Sequence, residues 1–214
     1  MAQMKFMCDA ERCIDCNGCV TACKNANDVP WGIQRRRVVT LNDGLADEVS
    51  ISVACMHCDD APCMAVCPTD CFYKTDDGIV LHDKDLCIGC GYCLYACPFG
   101  APQFPKQNAF GERGKMDKCT FCAGGPADSK EEEYEKYGAN RIAEGKLPLC
   151  AEMCSTKALL AGDAQTVADI FRQRVIHRGH PDGGWSGNQR REQARAGADL
   201  SQADALAYDA TRQG

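Results

Sequence analysis

Cys87-Ile88-Gly89-Cys90-Gly91-Tyr92-Cys93-Leu94-Tyr95-Ala96-Cys97-Pro98 decides how the rest of the chain is read. Its spacing is C-x2-C-x2-C-x3-C-P, the run that holds a cubane iron–sulfur cluster. Three thiolates one short step apart on a tight loop converge on one cluster face. The fourth cysteine lies past a helical turn, and in two-cluster proteins it goes to the other cluster. Gly89 and Gly91 let the backbone wrap close to the ligands and aim amides at the sulfurs. Pro98 ends the short helix.

The same arithmetic recurs upstream. Cys13, Cys16, Cys19 and Cys23 repeat the 3-3-4 steps, with Asn17-Gly18 giving the same tight loop. Cys55, Cys58, Cys63 and Cys67 follow with one longer step and Pro68 behind them. A fourth group, Cys119, Cys122, Cys150 and Cys154, is divided by a long insert. Taken alone, that divided group also suits a zinc ribbon. Cys8 and Cys71 fall outside every run and read as small buried residues. His57 lies inside the second run, but four cysteines already complete that site, so it reads as a supporting or surface residue.

The chain has 214 residues and eighteen cysteines. Tight i, i+3, i+6 groups suit metal centres better than separate disulfides. The net charge of −6 gives no electrostatic support for a nucleic-acid role. No run approaches the ~20 apolar residues of a membrane span, and residues 1–7 lack a signal-like apolar core. There is no dinucleotide fingerprint, phosphate loop or defensible Ser/His/Asp set, so no catalytic residue is assigned.

Between the runs the chain reads as short strands and one or two helices. Strands are expected at 4–9, at 38–41 paired with 49–54, at 72–74 paired with 79–81 across Thr75-Asp76-Asp77-Gly78, and at 157–161. Arg35, Arg36 and Arg37 read as a solvated strand end or a docking patch. Residues 98–118 read as a loop. Residues 129–136 form a charged helix candidate. Residues 163–176 read as an amphipathic helix, with Val167, Ile170, Phe171 and Val175 at helical spacing and a capping pattern at Thr166–Asp169. Residues 177–214 read as a polar tail. The fold class expected is α+β: two ferredoxin-like (βαββαβ-type) two-cluster modules, the inner inserted in the outer, with a C-terminal helix and polar tail. The outer module comprises 1–54 and 98–176, the inner one 55–97.

In order and spacing, the four cysteine groups resemble those of the four-cluster iron–sulfur subunits of molybdopterin oxidoreductases. Within that family the chain looks most like the beta subunit of formate dehydrogenases. The stretches that carry this are Asn25 to Gly44, Lys115 to Gly125 and Gly145 to Gly162. The resemblance covers residues 4 to about 176. It implies crossed ligation of four 4Fe–4S clusters. Cys13, Cys16 and Cys19 share a cluster with Cys154; Cys119, Cys122 and Cys150 share one with Cys23. Cys55, Cys58 and Cys63 join Cys97, and Cys87, Cys90 and Cys93 join Cys67. Nitrate reductase relatives replace one motif cysteine with tryptophan; here no motif position is lost.

The resemblance further implies an electron conduit between a large Mo/W-bis-pterin catalytic subunit and a cytochrome b-type membrane subunit or a soluble acceptor. Some membrane-bound relatives end in a transmembrane helix, whereas this chain ends in a polar tail. Membrane association is therefore expected through partners, on the periplasmic side by co-export with the catalytic subunit; the alternative is cytoplasmic. Three other readings stay open: the conduit of a polysulfide, sulfoxide or nitrate reductase, a free-standing polyferredoxin, and a zinc-binding structural protein.

Overall fold

The computed structural model describes residues 3–107 and 112–178. The first strand and the last pair with each other. Strand β1 (Met4–Cys8) runs antiparallel to β8 (Leu159–Asp163), in register from Met4↔Asp163 to Cys8↔Leu159. This pairing sets the first strand against the last, with all the cysteine runs on the stretch between them.

Helix α1 (Gly18–Ala26) follows β1 and carries Cys19 and Cys23 into the core. Strands β2 (Arg36–Leu41) and β3 (Val49–Ala54) form the expected hairpin, turning through Asn42 and Gly44 at positive φ. Helix α2 (Pro62–Ala65) opens with proline at its first position, where the missing N–H costs nothing. Strands β4 (Phe72–Lys74) and β5 (Val80–His82) make the second expected hairpin. Gly78, at φ +75, closes its turn by donating to the Thr75 carbonyl. Helix α3 (Tyr92–Ala96) carries Cys93. Between residues 55 and 97 the elements therefore run α2, β4, β5, α3. The segment before Cys55 is already committed to β3, which pairs with β2.

A two-residue pair, β6 (Lys106–Gln107) with β7 (Glu112–Arg113), marks the loop region beyond Pro98. Helix α4 (Lys130–Tyr137) is the charged helix. Its N-cap Ser129 accepts from the Glu132 N–H, and Glu131–Glu133 complement the helix dipole. Helix α5 (Leu149–Glu152) carries Cys150.

Helix α6 (Ala164–Arg178) lies against β1 and β8. Its cap is Asp163, which accepts from the Thr166 N–H at 3.0 Å, rather than a Thr166–Asp169 pair. Its buried positions are Val167, Ile170 and Arg174, whereas Phe171 and Val175 are only partly covered. Arg174 can occupy the apolar stripe because it reaches Asp9 at 3.6 Å and the Lys157 carbonyl at 2.8 Å. The expected polar tail beyond residue 178 lies outside the described residues. The chain is thus mixed α and β with four small two-stranded sheets among its described residues.

Candidate metal centre

The cysteines sit where short loops turn into short helices. Gly89 and Gly91 have φ of +71 and +86, and Asn17 takes the corresponding left-handed position before α1. A β-carbon is costly at such φ, so Gly91, the N-cap of α3, is what allows the loop to fold back over its own thiols. These helices bury their cysteines: Cys19 and Cys23 on α1, Cys63 on α2, Cys93 on α3 and Cys150 on α5. No disulfide joins any two of the eighteen cysteines, and of them Cys16 and Cys90 are exposed.

The inner cysteines surround two recesses. Cys67, Cys87, Cys90 and Cys93 line one of about 280 Å³, its mouth included, with Phe72, Phe104 and Met116 among the walls. Cys55, Cys58, Cys63 and Cys97 line another of about 360 Å³, with Val80, Phe99 and Lys118. Each recess therefore takes three cysteines from one run and the last cysteine of the other. Among the outer cysteines, Cys23 faces Cys119, Cys150 and Cys122 closely enough for their charges to interact. Cys13, Cys19 and Cys154 pack with the β1–β8 core. A β-carbon at Gly18 would lie 3.6 Å from Cys16 Sγ and 4.0 Å from the Met153 carbonyl, so this loop abuts the segment bearing Cys154.

The four groups adjoin in a row. Cys19 and Cys150 lie in one buried cluster, Cys55 and Cys119 in a second with Cys97 against it, and Cys63 and Cys93 in a third. Cys150 senses the charge of Cys19, Cys119 that of Cys55, and Cys93 that of Cys63. The exposed cysteines, Cys16 and Cys90, belong to the first and last groups of the row.

These side chains fit a thiolate-ligated cluster. Backbone amides point at sulfurs: Met116 N to Cys87 at 3.3 Å, and Ala101 N to Cys97, Phe121 N to Cys119 and Leu159 N to Cys154, each at 3.4 Å. Such donors favour the anionic sulfur and raise the potential of what it holds. Burial acts oppositely on the bare thiols. It pushes Cys63 and Cys119 up to about 11 and Cys93 to about 12. Keeping these sulfurs as thiolates in so dry a place requires a cation, and metal binding releases their protons. No group of three or more His, Cys, Asp or Glu among the described residues is arranged for a single metal ion.

Several neighbours were not legible in the sequence. Cys71 is buried with its Sγ 3.4 Å from that of Cys67, and it lines the same recess as a fifth thiol. Its hydrogen bond pulls the Cys87 thiol down to about 5, helped by the Met116 and Gly89 amides. Cys8 is only partly buried and accepts the Ser52 N–H at 3.2 Å. His57 is buried, not on the surface; its Nδ1 accepts from Val80 N at 3.1 Å. The arginine triplet is the clearest correction. Arg35 and Arg36 are 5% and 2% exposed, so neither is a solvated strand end nor a docking patch. Arg35 pairs with Asp117, and Arg37 donates to the Phe99 carbonyl. Lys118 is also buried, its Nζ donating to the Val80 and Cys119 carbonyls beside the Cys55–Cys97 recess.

The sequence model of the 4Fe-4S dicluster domain matches residues 46–164, more than half of the chain. The protein belongs to the 4Fe-4S dicluster family. It is 68% identical over 180 residues to the formate dehydrogenase iron-sulfur subunit of Wolinella succinogenes, covering 83% of this chain and 90% of that relative. It is 36% identical to the thiosulfate reductase electron transfer subunit of Salmonella typhi, covering 82% of this chain and 85% of the relative. It is also 36% identical to one of the chains of the anaerobic dimethyl sulfoxide reductase of Escherichia coli, covering 73% and 72%. The resemblance carried by the Asn25–Gly44, Lys115–Gly125 and Gly145–Gly162 stretches is borne out. So is the iron–sulfur, 4Fe-4S character expected of the chain.

Proposed function

We propose that this dicluster-family chain is the electron-transfer subunit of a formate dehydrogenase, holding four 4Fe–4S clusters in a row. The observation that carries the proposal is the contiguity of the four cysteine groups, from exposed Cys16 at one end to exposed Cys90 at the other. The identity to a formate dehydrogenase iron-sulfur subunit supports the choice of substrate. The ligand sets are Cys13, Cys16, Cys19 and Cys154; Cys23, Cys119, Cys122 and Cys150; Cys55, Cys58, Cys63 and Cys97; and Cys67, Cys87, Cys90 and Cys93. The module carrying the last two sets is inserted in an outer module closed by β1 and β8.

When bound, the clusters supply one-electron redox steps. The protein's own residues do the rest. The cysteines fix the centres, the amides of Met116, Ala101, Phe121 and Leu159 stabilise anionic sulfur, and Ile79, Leu81, Phe121 and Leu159 keep water from the end of the row around Cys19 and Cys150. In this reading formate is oxidised at a Mo/W-bis-pterin site on a separate catalytic subunit. Electrons leave singly to a cytochrome b-type membrane subunit or a soluble acceptor. The complex reaches the membrane through that partner and is exported with its catalytic subunit to the periplasmic side. No helix among the described residues is long and apolar enough to cross a membrane, which suits attachment through a partner.

The test is anaerobic purification through a tag on this chain, followed by assay of formate-dependent viologen reduction. Activity with a co-purifying pterin subunit is the expected result. A co-purifying pterin subunit that ignores formate but turns over thiosulfate or a sulfoxide would move the chain to the reductases.

A further inference from the structure

Arg36 is a buried cation with no carboxylate partner among the described residues. It sits on β2 with 2% of its surface exposed. Its Nη1 donates to Ser52 Oγ at 3.0 Å, and its guanidinium lies over the Phe6 ring at 4.3 Å. Its Nε and Nη2 meet no oxygen acceptor among the described residues, and the Cys150 thiol lies beside the guanidinium. Its neighbours in the triplet are satisfied, Arg35 by Asp117 and Arg37 by a carbonyl. The ionisable groups whose charge acts most strongly on Arg36 are thiols: Cys150, Cys119, Cys23 and Cys19.

A guanidinium cannot shed its charge in a protein. Burying one without a counter-ion is strongly unfavourable, and donors that meet no oxygen acceptor add the cost of lost solvation. The fold tolerates this only if an anion arrives among those thiols. A thiolate-ligated cluster is net anionic, and reduction adds one further negative charge. A fixed cation beside it therefore stabilises the reduced form more than the oxidised one. Three of the four facing thiols belong to one proposed ligand set. The fourth, Cys19, shares Ser52 with Arg36, since Ser52 Oγ lies 3.3 Å from Cys19 Sγ.

We propose that Arg36 is the counter-charge of the cluster held by Cys23, Cys119, Cys122 and Cys150, and that it raises that cluster's reduction potential. Arg36 is a positioning and tuning residue rather than a ligand. This rests on the ligand set proposed above, and its test separates the two. The dry contact with Phe6 keeps the charge unscreened, so salt should not substitute for it.

The experiment is a mediated redox titration, read by electron paramagnetic resonance, on the anaerobically purified complex. It compares wild type, Arg36→Gln, Arg36→Lys and Cys150→Ser, each with iron and acid-labile sulfide measured. Dithionite sets the potential, so the readout does not depend on formate being the substrate. In Arg36→Gln, one cluster should shift at least tenfold toward its oxidised form, which is 59 mV for one electron. The other clusters should stay in place, and Arg36→Lys should hold the shift under about threefold, because it keeps the charge. No shifted cluster in Arg36→Gln overturns the proposal, as does an equal shift in Arg36→Lys, which would mean packing and not charge. If Arg36→Gln loses one cluster's iron, Arg36→Lys decides alone: a retained cluster near its wild-type potential supports the proposal, and a tenfold shift overturns it. Cys150→Ser marks which cluster is concerned. A shift in a cluster that Cys150→Ser leaves untouched overturns the assignment of Arg36 to this set.

Discussion

Arg35 and Asp117, 82 residues apart, form a fork: Nε and Nη2 of the arginine donate to the two carboxylate oxygens at 2.6 and 2.9 Å. Both side chains are almost fully buried. Arg35 Nη1 also reaches the Tyr137 carbonyl, and Lys84 Nζ approaches Asp117 Oδ2 at 3.0 Å. The fork ties the segment before β2 to the segment before Cys119 and to the end of α4. Burial opposes ionisation of Asp117, and the Arg35 guanidinium and Lys84 ammonium outweigh it, holding the carboxyl below its usual range. Removing one partner strands the other charge in a dry site. Asp117→Asn should therefore cost about 3–5 kcal/mol. Anaerobic thermal unfolding of the iron-loaded complex checks it, and an Arg35→Met/Asp117→Leu double variant should recover much of the loss.

Gly125 packs against Tyr137. A β-carbon there would lie 2.5–2.7 Å from three ring carbons, closer than atoms can stand. Tyr137 is fully buried, its hydroxyl accepts the Lys84 N–H at 2.9 Å, and its carbonyl accepts from Arg35. Gly125→Ala must push the ring aside and disturb both bonds, at a cost of about 1–3 kcal/mol. A matched drop in unfolding midpoint, with full iron content retained, is the expected observation.

His82 gives the pH dependence its sign. It is fully buried between Phe72 and Tyr137, and neither ring nitrogen has a hydrogen-bond partner among the described residues. Burial, helped by the Lys118 ammonium, holds the imidazole well below 6.5. The unfolded chain takes up a proton near 6.5 that the folded chain refuses. The stability from this group is thus complete above that pH. It falls by up to about 1.4 kcal/mol per pH unit as the medium is acidified toward the folded value. Denaturant midpoints between about pH 7 and 5.5 should show a shallower slope in His82→Phe than in wild type.

The crossed ligand sets separate by substitution. Cys154→Ala should remove or convert the cluster shared with Cys13, Cys16 and Cys19, leaving the inner module's two signals intact. Damage first to the cluster of Cys119, Cys122 and Cys150 would overturn the pairing. Cys71→Ala should retain the full iron and sulfide of wild type, because the proposed ligand is Cys67 and Cys71 is its 3.4 Å neighbour.

What was legible in the sequence was local. Cysteine steps and turn residues such as Gly78 and Gly91 declare themselves within a few positions. Hence both hairpins, the charged helix and the four cysteine groups fall where the spacing puts them. What was not legible depends on distant partners. Arg35 reads as a surface residue until Asp117 is brought to it, and Arg36 until Phe6 and the thiols surround it. Cys71 has no motif of its own and joins a recess only because β4 starts beside α2. Arg174 breaks the apolar stripe of α6, and Asp9, 165 positions away, makes that acceptable.

The account stands most directly on whether electrons from formate enter this chain. Formate should be mixed anaerobically with the oxidised, tag-purified complex while the iron–sulfur absorbance and paramagnetic signals are followed. The account predicts that formate bleaches the clusters of this chain, and that signals assigned through Cys154→Ala and Cys150→Ser appear. Clusters that dithionite reduces but formate leaves oxidised, in a complex with its pterin subunit bound, would contradict it.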